Sequence, residues 1–284
     1  YYYMELMKKF AEVRKTVEEE VKKVPEGTRV KLDMDLLENL LFEKIVINKS
    51  QNKVAKIPVW SGEFLSKIDL SDVDFDNVSW SFTRWIREGY NPFEDISDVD
   101  LFDLNGEIDY DAEIIYKNTN ANIDLSKSFE FKEQGAVDVG GVDFENTQLS
   151  IGNAKTVYFS ETNLKGTNID LRSAVDIDGF ITDFTGVDLS FLKVDGERVF
   201  HGDILCSCNL CGTGINMIIE DKETANKIYE EIQKYNEYGT NPVYKDPLGR
   251  EKEKYFFNKL EGCYFNGLEI AHYKNYESFS KKTR

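Results

Sequence analysis

From Phe144 to Val194 every fifth residue reads Phe144, Leu149, Ala154, Phe159, Leu164, Ile169, Ala174, Gly179, Phe184, Leu189, Val194. Ten of these eleven are apolar in a chain that is 41% hydrophobic, so the spacing carries structure. A helical face repeats every ~3.6 residues and a half-buried strand every ~2, and a period of five fits neither. Two residues before each centre stand Val142, Thr147, Gly152, Val157, Thr162, Thr167, Arg172, Ile177, Thr182, Val187 and Leu192, mostly small or β-branched. The residues between are mostly Asp, Asn, Ser, Glu, Lys and Gly. The period resumes one residue out of phase at Phe200, Leu205, Leu210 and Ile215. An earlier run reads Leu65, Leu70, Phe75, Trp80, Trp85, preceded two back by Ile68, Val73, Val78 and Thr83. Residues 86–140 are irregular, with isolated units at 99–101, 108–110 and 123–125.

The units SDVDFDNVSW (71–80), GVDFENTQLS (141–150), SETNLKGTNI (160–169) and TGVDLS (185–190) share one order: a small or β-branched residue, Asp or Asn, Leu or Phe, then two polar residues. This resembles the pentapeptide-repeat family, clearly over 141–194 and well over 63–85. The resemblance implies a mainly β fold, a right-handed quadrilateral β-helix in which each unit makes one side and about four units make a coil. Coils of this kind stack at ~4.8 Å. A single coil cannot bury its own inner face, so several must stack. Vertical neighbours then lie twenty apart, with Phe144, Leu164 and Phe184 in one column and Ala154, Ala174 and Val194 in another. Two residues depart from the pattern. Arg172 falls on an inward position, where an unpaired charge is expensive, unless a bulge turns it outward. Gly179 fills little space.

The flanks read differently. Leu6, Phe10, Val13, Val17, Val21 and Val24 form one amphipathic stripe, which predicts a helix over 4–24 that ends at Pro25 and packs on its own domain rather than in a coiled coil. Residues 28–60 hold short β-like pieces, with Pro58 suited to an edge or entry position. A second helix is expected over 221–238, with Asp221 as N-cap, Ala225, Ile228, Ile232 and Tyr235 as its apolar face, and Gly239 as its stop. It is the natural cover for an open solenoid end. Leu260, Phe265 and Ile270 echo the period of five once more. The expected organisation is an N-terminal region over 1–60, the repeat over 61–220, and a capping helix and tail over 221–284.

Net charge is −17, and its distribution matters more. Residues 61–220 carry 31 Asp+Glu against 11 Lys+Arg, while 1–60 carry 10 against 12 and 221–284 carry 11 against 12. Direct nucleic-acid binding by the middle is disfavoured, because phosphate affinity comes from Lys and Arg. No apolar stretch is long enough to span a bilayer, and the first residues lack the apolar core of a signal peptide. Four cysteines are too few for a disulfide framework. The reading is a cytoplasmic protein with free thiols and no membrane contact.

Cys206, Cys208, Cys211 and Cys263 raise a zinc site, but only Cys208 and Cys211 have knuckle spacing, and Cys208 sits where the repeat wants a small inward residue. Structural cysteines are expected, and no metal. His201 and His272 are the only histidines, and no nucleophile elbow, phosphate loop or zinc-protease motif occurs. No catalytic residue and no cofactor is assigned; an enzyme or metal-binding module in the flanks stays as an alternative. Trp80 and Trp85 fit inward positions. The Tyr-rich tail could pack or bind a partner.

The expected function is a non-catalytic protein-interaction scaffold, with Asp143, Asp183 and Asp188 as the candidate acidic surface for a protein partner. The resemblance supplies an alternative, since some pentapeptide-repeat proteins imitate DNA and bind a type II topoisomerase, gyrase. Dimerisation through end coils or helices is a further expectation.

Overall fold

The computed structural model describes residues 12, 15–48, 50–58, 63–81, 120–195, 205–206, 208–227, 230, 243–245, 251–253 and 259–269. The chain forms a parallel β-solenoid of about four turns, mainly sheet, with few helices. Its strands are short because the chain changes direction every few residues. In order they are β1 (Phe42–Asn48), β2 (Lys53–Pro58), β3 (Asn122–Asp124), β4 (Val137–Asp138), β5 (Gln148–Ser150), β6 (Thr156–Tyr158), β7 (Asp176–Phe180), β8 (Lys193–Asp195), β9 (Leu205–Cys206), β10 (Asn216–Ile218), β11 (Val243–Lys245), β12 (Glu251–Glu253), β13 (Tyr264–Phe265) and β14 (Leu268–Glu269). Helix α1 spans Met34–Leu41 and α2 spans Phe129–Gln134.

The stack follows the expected register. Val137, Val157 and Ile177 pair in parallel through β4, β6 and β7, and Gly179 pairs with Leu205 of β9. On another face Asp143, Asn163, Asp183, Asn209 and Lys259 bridge one above the next. The residues five apart point inward: Phe144, Phe159, Leu164, Phe184 and Leu189 are all 0% exposed. One continuous core runs from Val17 to Phe265.

The positions two before each centre explain their own composition. Their hydroxyls are buried and donate to carbonyls of a neighbouring turn: Thr162 to Val139 at 2.9 Å, Thr167 to Phe144 at 2.8 Å, and Thr182 to Phe159. A buried hydroxyl without a partner is costly, and the stacked carbonyls supply one at each level. Asn146, Gly166, Gly186, Gly212 and Gly262 share the left-handed conformation, with φ of 58, 66, 78, 70 and 75°, which glycine and asparagine adopt at least cost.

Both departures from the pattern are resolved locally. Arg172 faces solvent, its guanidinium on the Asp170 carboxylate at 2.5 Å, while Leu171 turns inward in its place. Gly152, one coil earlier, makes the same outward bulge. Gly179 is required: a Cβ there would stand 2.7 Å from the ring of Phe184. The missing side chain is the space that Phe184 fills, edge-on to Phe159 at 5.8 Å.

Two long excursions interrupt the stack. Gln148 and Asn168, on successive coils, are 20 apart. Trp80 and Glu130 also contact each other, yet they are 50 apart, as are Thr213 and Cys263. Each excursion therefore adds thirty residues to one coil. The first contains 82–119, so Trp85 lies outside the described residues. After the second the chain returns to the stack, and β13 pairs with β10, Met217 against Phe265. The echo of five at Leu260 and Phe265 is thus a unit docked on the solenoid, with both residues buried; Ile270 lies outside the described residues.

The N-terminal segment packs on the same core. Residues 15–21 are helical, Val17 is 0% exposed, and Val21 and Val24 lie partly buried against the core. The side chain of Asp33 caps α1, accepting from the Asp35 and Leu36 amides. The β1–β2 hairpin is antiparallel, and Lys56 of β2 bridges Val78. Near the other end residues 222–227 are helical, capped by Asp221, which accepts from the Thr224 amide at 2.7 Å, and Ala225 joins the core. Residues 12 and 230 are also helical, residues 22–24 form a turn in place of the last residues of the first expected helix, and the rest of both expected helices lies outside the described residues. No helix among the described residues is long and apolar enough to cross a membrane.

Candidate interaction surface

A solenoid presents outward side chains in columns, so its surface chemistry follows from the repeat. The Asp or Asn just before each centre is the first outward group. Its carboxylate or amide oxygen accepts from the amide two residues on: Asp143 from Glu145 at 2.9 Å, Asn163 from Lys165 at 3.0 Å, Asp183 from Thr185 at 2.9 Å and Asn209 from Cys211 at 3.1 Å. Asp188 accepts from both the amide and the hydroxyl of Ser190, at 2.9 and 2.5 Å. These are Asx turns, and they hold the corners of the coil.

The structure thus places the three expected acidic residues in structural posts. Asp143 and Asp183 stand in one column, separated by Asn163, and are half-buried. Asp188 is exposed and lies five residues on from Asp183, away from that column. They do not form one cluster. Each carboxylate has committed an oxygen to a turn. The Ser190 hydroxyl and amide hold Asp188 below the ordinary carboxylate range. Ser71 and Asn120 hold Asp69 at about 2, and Arg172 holds Asp170 at about 2.

Asp176 and Asp178 are free of this duty, and sequence reasoning did not single them out. Asp176 and Asp178 lie on β7, whose residues alternate outward and inward along its length. Neither makes a side-chain hydrogen bond or ion pair among the described residues. Phe180 follows on the same face, 42% exposed, and Tyr158 of β6 stands beside Asp178, 39% exposed. The alternation in VDIDGF at 175–180 is a period-two strand signal, submerged there in the period of five.

Other candidate features have structural explanations. Cys208 takes the place that Thr162 and Thr182 take in earlier coils, and its thiol donates to the Gly179 carbonyl at 3.2 Å. Cys263 donates to Leu210 at 3.2 Å, and burial pushes its thiol up to about 12. Burial also raises the half-buried Cys211. The Cys206 side chain, His201 and His272 lie outside the described residues. Among the described residues no group of three or more His, Cys, Asp or Glu could hold a metal ion. Asn122, Gln148 and Asn168 line a shallow polar groove of ≈ 340 Å³, in which Asn168 donates its amide to Gln148 at 2.7 Å.

The feet of the first excursion are pinned by polar clamps. At the exit, buried Glu130 accepts from the hydroxyls of Ser79 and Ser81 and from the Trp80 amide. Burial raises its pKa. At the return, Asn120 accepts from Arg29 and the Leu70 amide and donates to Asp69. Residues 82–119 between these feet carry 10 Asp+Glu against 3 Lys+Arg.

No protein-family model, curated protein or solved structure matches the chain.

Proposed function

We propose that this chain is a non-catalytic protein-interaction scaffold of the pentapeptide-repeat kind, a right-handed, four-sided β-helix with helical flanks that works in the cytoplasm. The observation that carries the reading is the division of labour among side chains. Inward positions are spent on packing and on hydroxyl–carbonyl bonds. The groove at Asn122, Gln148 and Asn168 is shallow, and the outward positions offer regular columns to a partner. Free thiols at Cys208, Cys211 and Cys263 accord with a reducing compartment.

The acidic columns are the proposed contact surface, including Asp143, Asp183 and Asp188. Because these residues hold turns, charge and fold must be tested separately. Asn163 and Asn209 occupy the same column as Asp143 and Asp183, so Asn preserves the turn bond while removing charge. The triple variant D143N/D183N/D188N is expected to keep its melting temperature and to capture less partner from lysate. Undiminished capture by that folded variant contradicts the acidic-surface reading. The second reading, a DNA mimic that binds gyrase, is favoured by the excess of 31 acidic over 11 basic residues in 61–220. It predicts salt-sensitive inhibition of gyrase supercoiling by the purified protein.

A further inference from the structure

The β6–β7 face sets two uncommitted carboxylates, Asp176 and Asp178, beside exposed aromatic side chains. Tyr158 pairs across the ladder with Asp138 on one side and Asp178 on the other, each one strand spacing away, ~4.8 Å. Phe180 lies two residues beyond Asp178 on the same face, ~6.7 Å along the strand. Large exposed apolar side chains are few among the described residues, and two of them, at 39% and 42% exposed, flank Asp178. Val175, 76% exposed, lies at the strand's start. Lys155, whose carbonyl accepts from the Val175 and Asp176 amides, points its ammonium at the Ser173 carbonyl at 3.3 Å, and Arg172, four residues before Asp176, is paired with Asp170. The Asp176 and Asp178 carboxylates therefore have no cationic counterpart among the described residues.

We propose that the outward face of β6 and β7 docks an arginine-bearing extended segment of a partner protein, with guanidinium groups on the Tyr158 and Phe180 rings and their N–H edges toward Asp176 and Asp178. This rests on the scaffold reading and names the site and the partner chemistry. Charge complementarity selects a cation. The rings select arginine over lysine, because a planar guanidinium stacks on an aromatic face while its edge donors stay free for carboxylates. The spacing selects an extended segment, since alternate residues of a strand advance by the same ~6.7 Å that separates Asp178 from Phe180. Asp138, committed to the Gly140 amide at 3.2 Å, adds charge at the edge of the site.

The test is a titration of the full-length protein with a synthetic peptide of alternating Arg and Thr, beside its Lys–Thr and Glu–Thr counterparts. The Arg–Thr peptide is expected to bind most tightly and the Glu–Thr peptide not at all. Tyr158→Ala and Phe180→Ala are each expected to weaken binding about two- to fivefold, while Tyr158→Phe retains it. D176N/D178N is expected to weaken binding more than D183N/D188N, which removes the same two charges elsewhere on the solenoid. Equal binding by wild type and face variants, or equal loss with D183N/D188N, would each overturn the proposal. If the face variants leave lysate capture intact while D143N/D183N/D188N abolishes it, the docking site fails and the scaffold reading stands.

Discussion

At the scale of single residues, the same side chain serves the turn and the surface. Asp69, Asp124, Asp143, Asp183 and Asp188 each accept from the amide two residues on. Asp69 and Asp170 titrate near 2 instead of 3.8, so the unfolded chain binds more protons as pH drops. Their contribution is complete above pH 3.8 and is lost as pH falls toward 2. Glu130 has the opposite sign. Its folded pKa lies above the ordinary 4.5, so above pH 4.5 the unfolded chain releases a proton that the folded chain retains. Stability then falls as pH rises, until the folded carboxyl itself ionises. Glu130→Gln is expected to remove that decline. Melting temperatures from pH 4 to 8 check this, and parallel profiles for wild type and variant would contradict it.

Much of this residue-level pattern was legible in sequence, because the period of five names the inward side. Phe144, Phe159 and Leu164 could be placed from spacing alone. Arg172 could not, since whether a bulge turns it outward depends on Leu171 taking the inward place. Gly179 looked like a defect because its function lies in the Phe184 ring five residues away. That the Asp or Asn before each centre can bond turn backbone follows from its place in the unit, but spacing does not show which carboxylates do so. Asp176 and Asp178 were overlooked for the same reason, being distinguished only by the bonds they lack.

At the scale of elements, the coil tolerates insertion where its feet are clamped. Glu130 holds Ser79, Trp80 and Ser81, and Asn120 holds Asp69, Leu70 and Arg29, so both feet are held by bonds among the described residues. Closing a longer loop costs little, each doubling about 0.6 kcal/mol. The excess over a regular coil is thirty residues. Deleting thirty residues from within 82–119 is therefore expected to preserve the β-rich circular dichroism spectrum and cooperative unfolding. An insoluble or molten product would show that the segment is part of the core. The irregularity of 86–140 in sequence now divides at Asn120: residues from there onward belong to the stack, with β3 paired to β5.

At the scale of the whole molecule, one core links segments far apart in sequence. The coil that ends near Ile219 is covered by residues 259–265, beyond an excursion, and β14 folds back antiparallel on β13, a blunt finish for that sheet. A continuous stack across interruptions is the central claim, and the contact between Thr213 and Cys263 tests it most directly. Their side-chain oxygen and sulfur lie 3.7 Å apart, both buried, at a separation of 50 residues. Neighbouring parallel strands place Cα atoms within disulfide range. In a C206S/C208T/C211S background, Thr213→Cys is expected to form an intramolecular disulfide with Cys263 on mild oxidation, read by mass spectrometry. Thr167→Cys, further down the same column, is expected to stay reduced. A Thr213→Cys variant that remains folded with both thiols free would contradict the account.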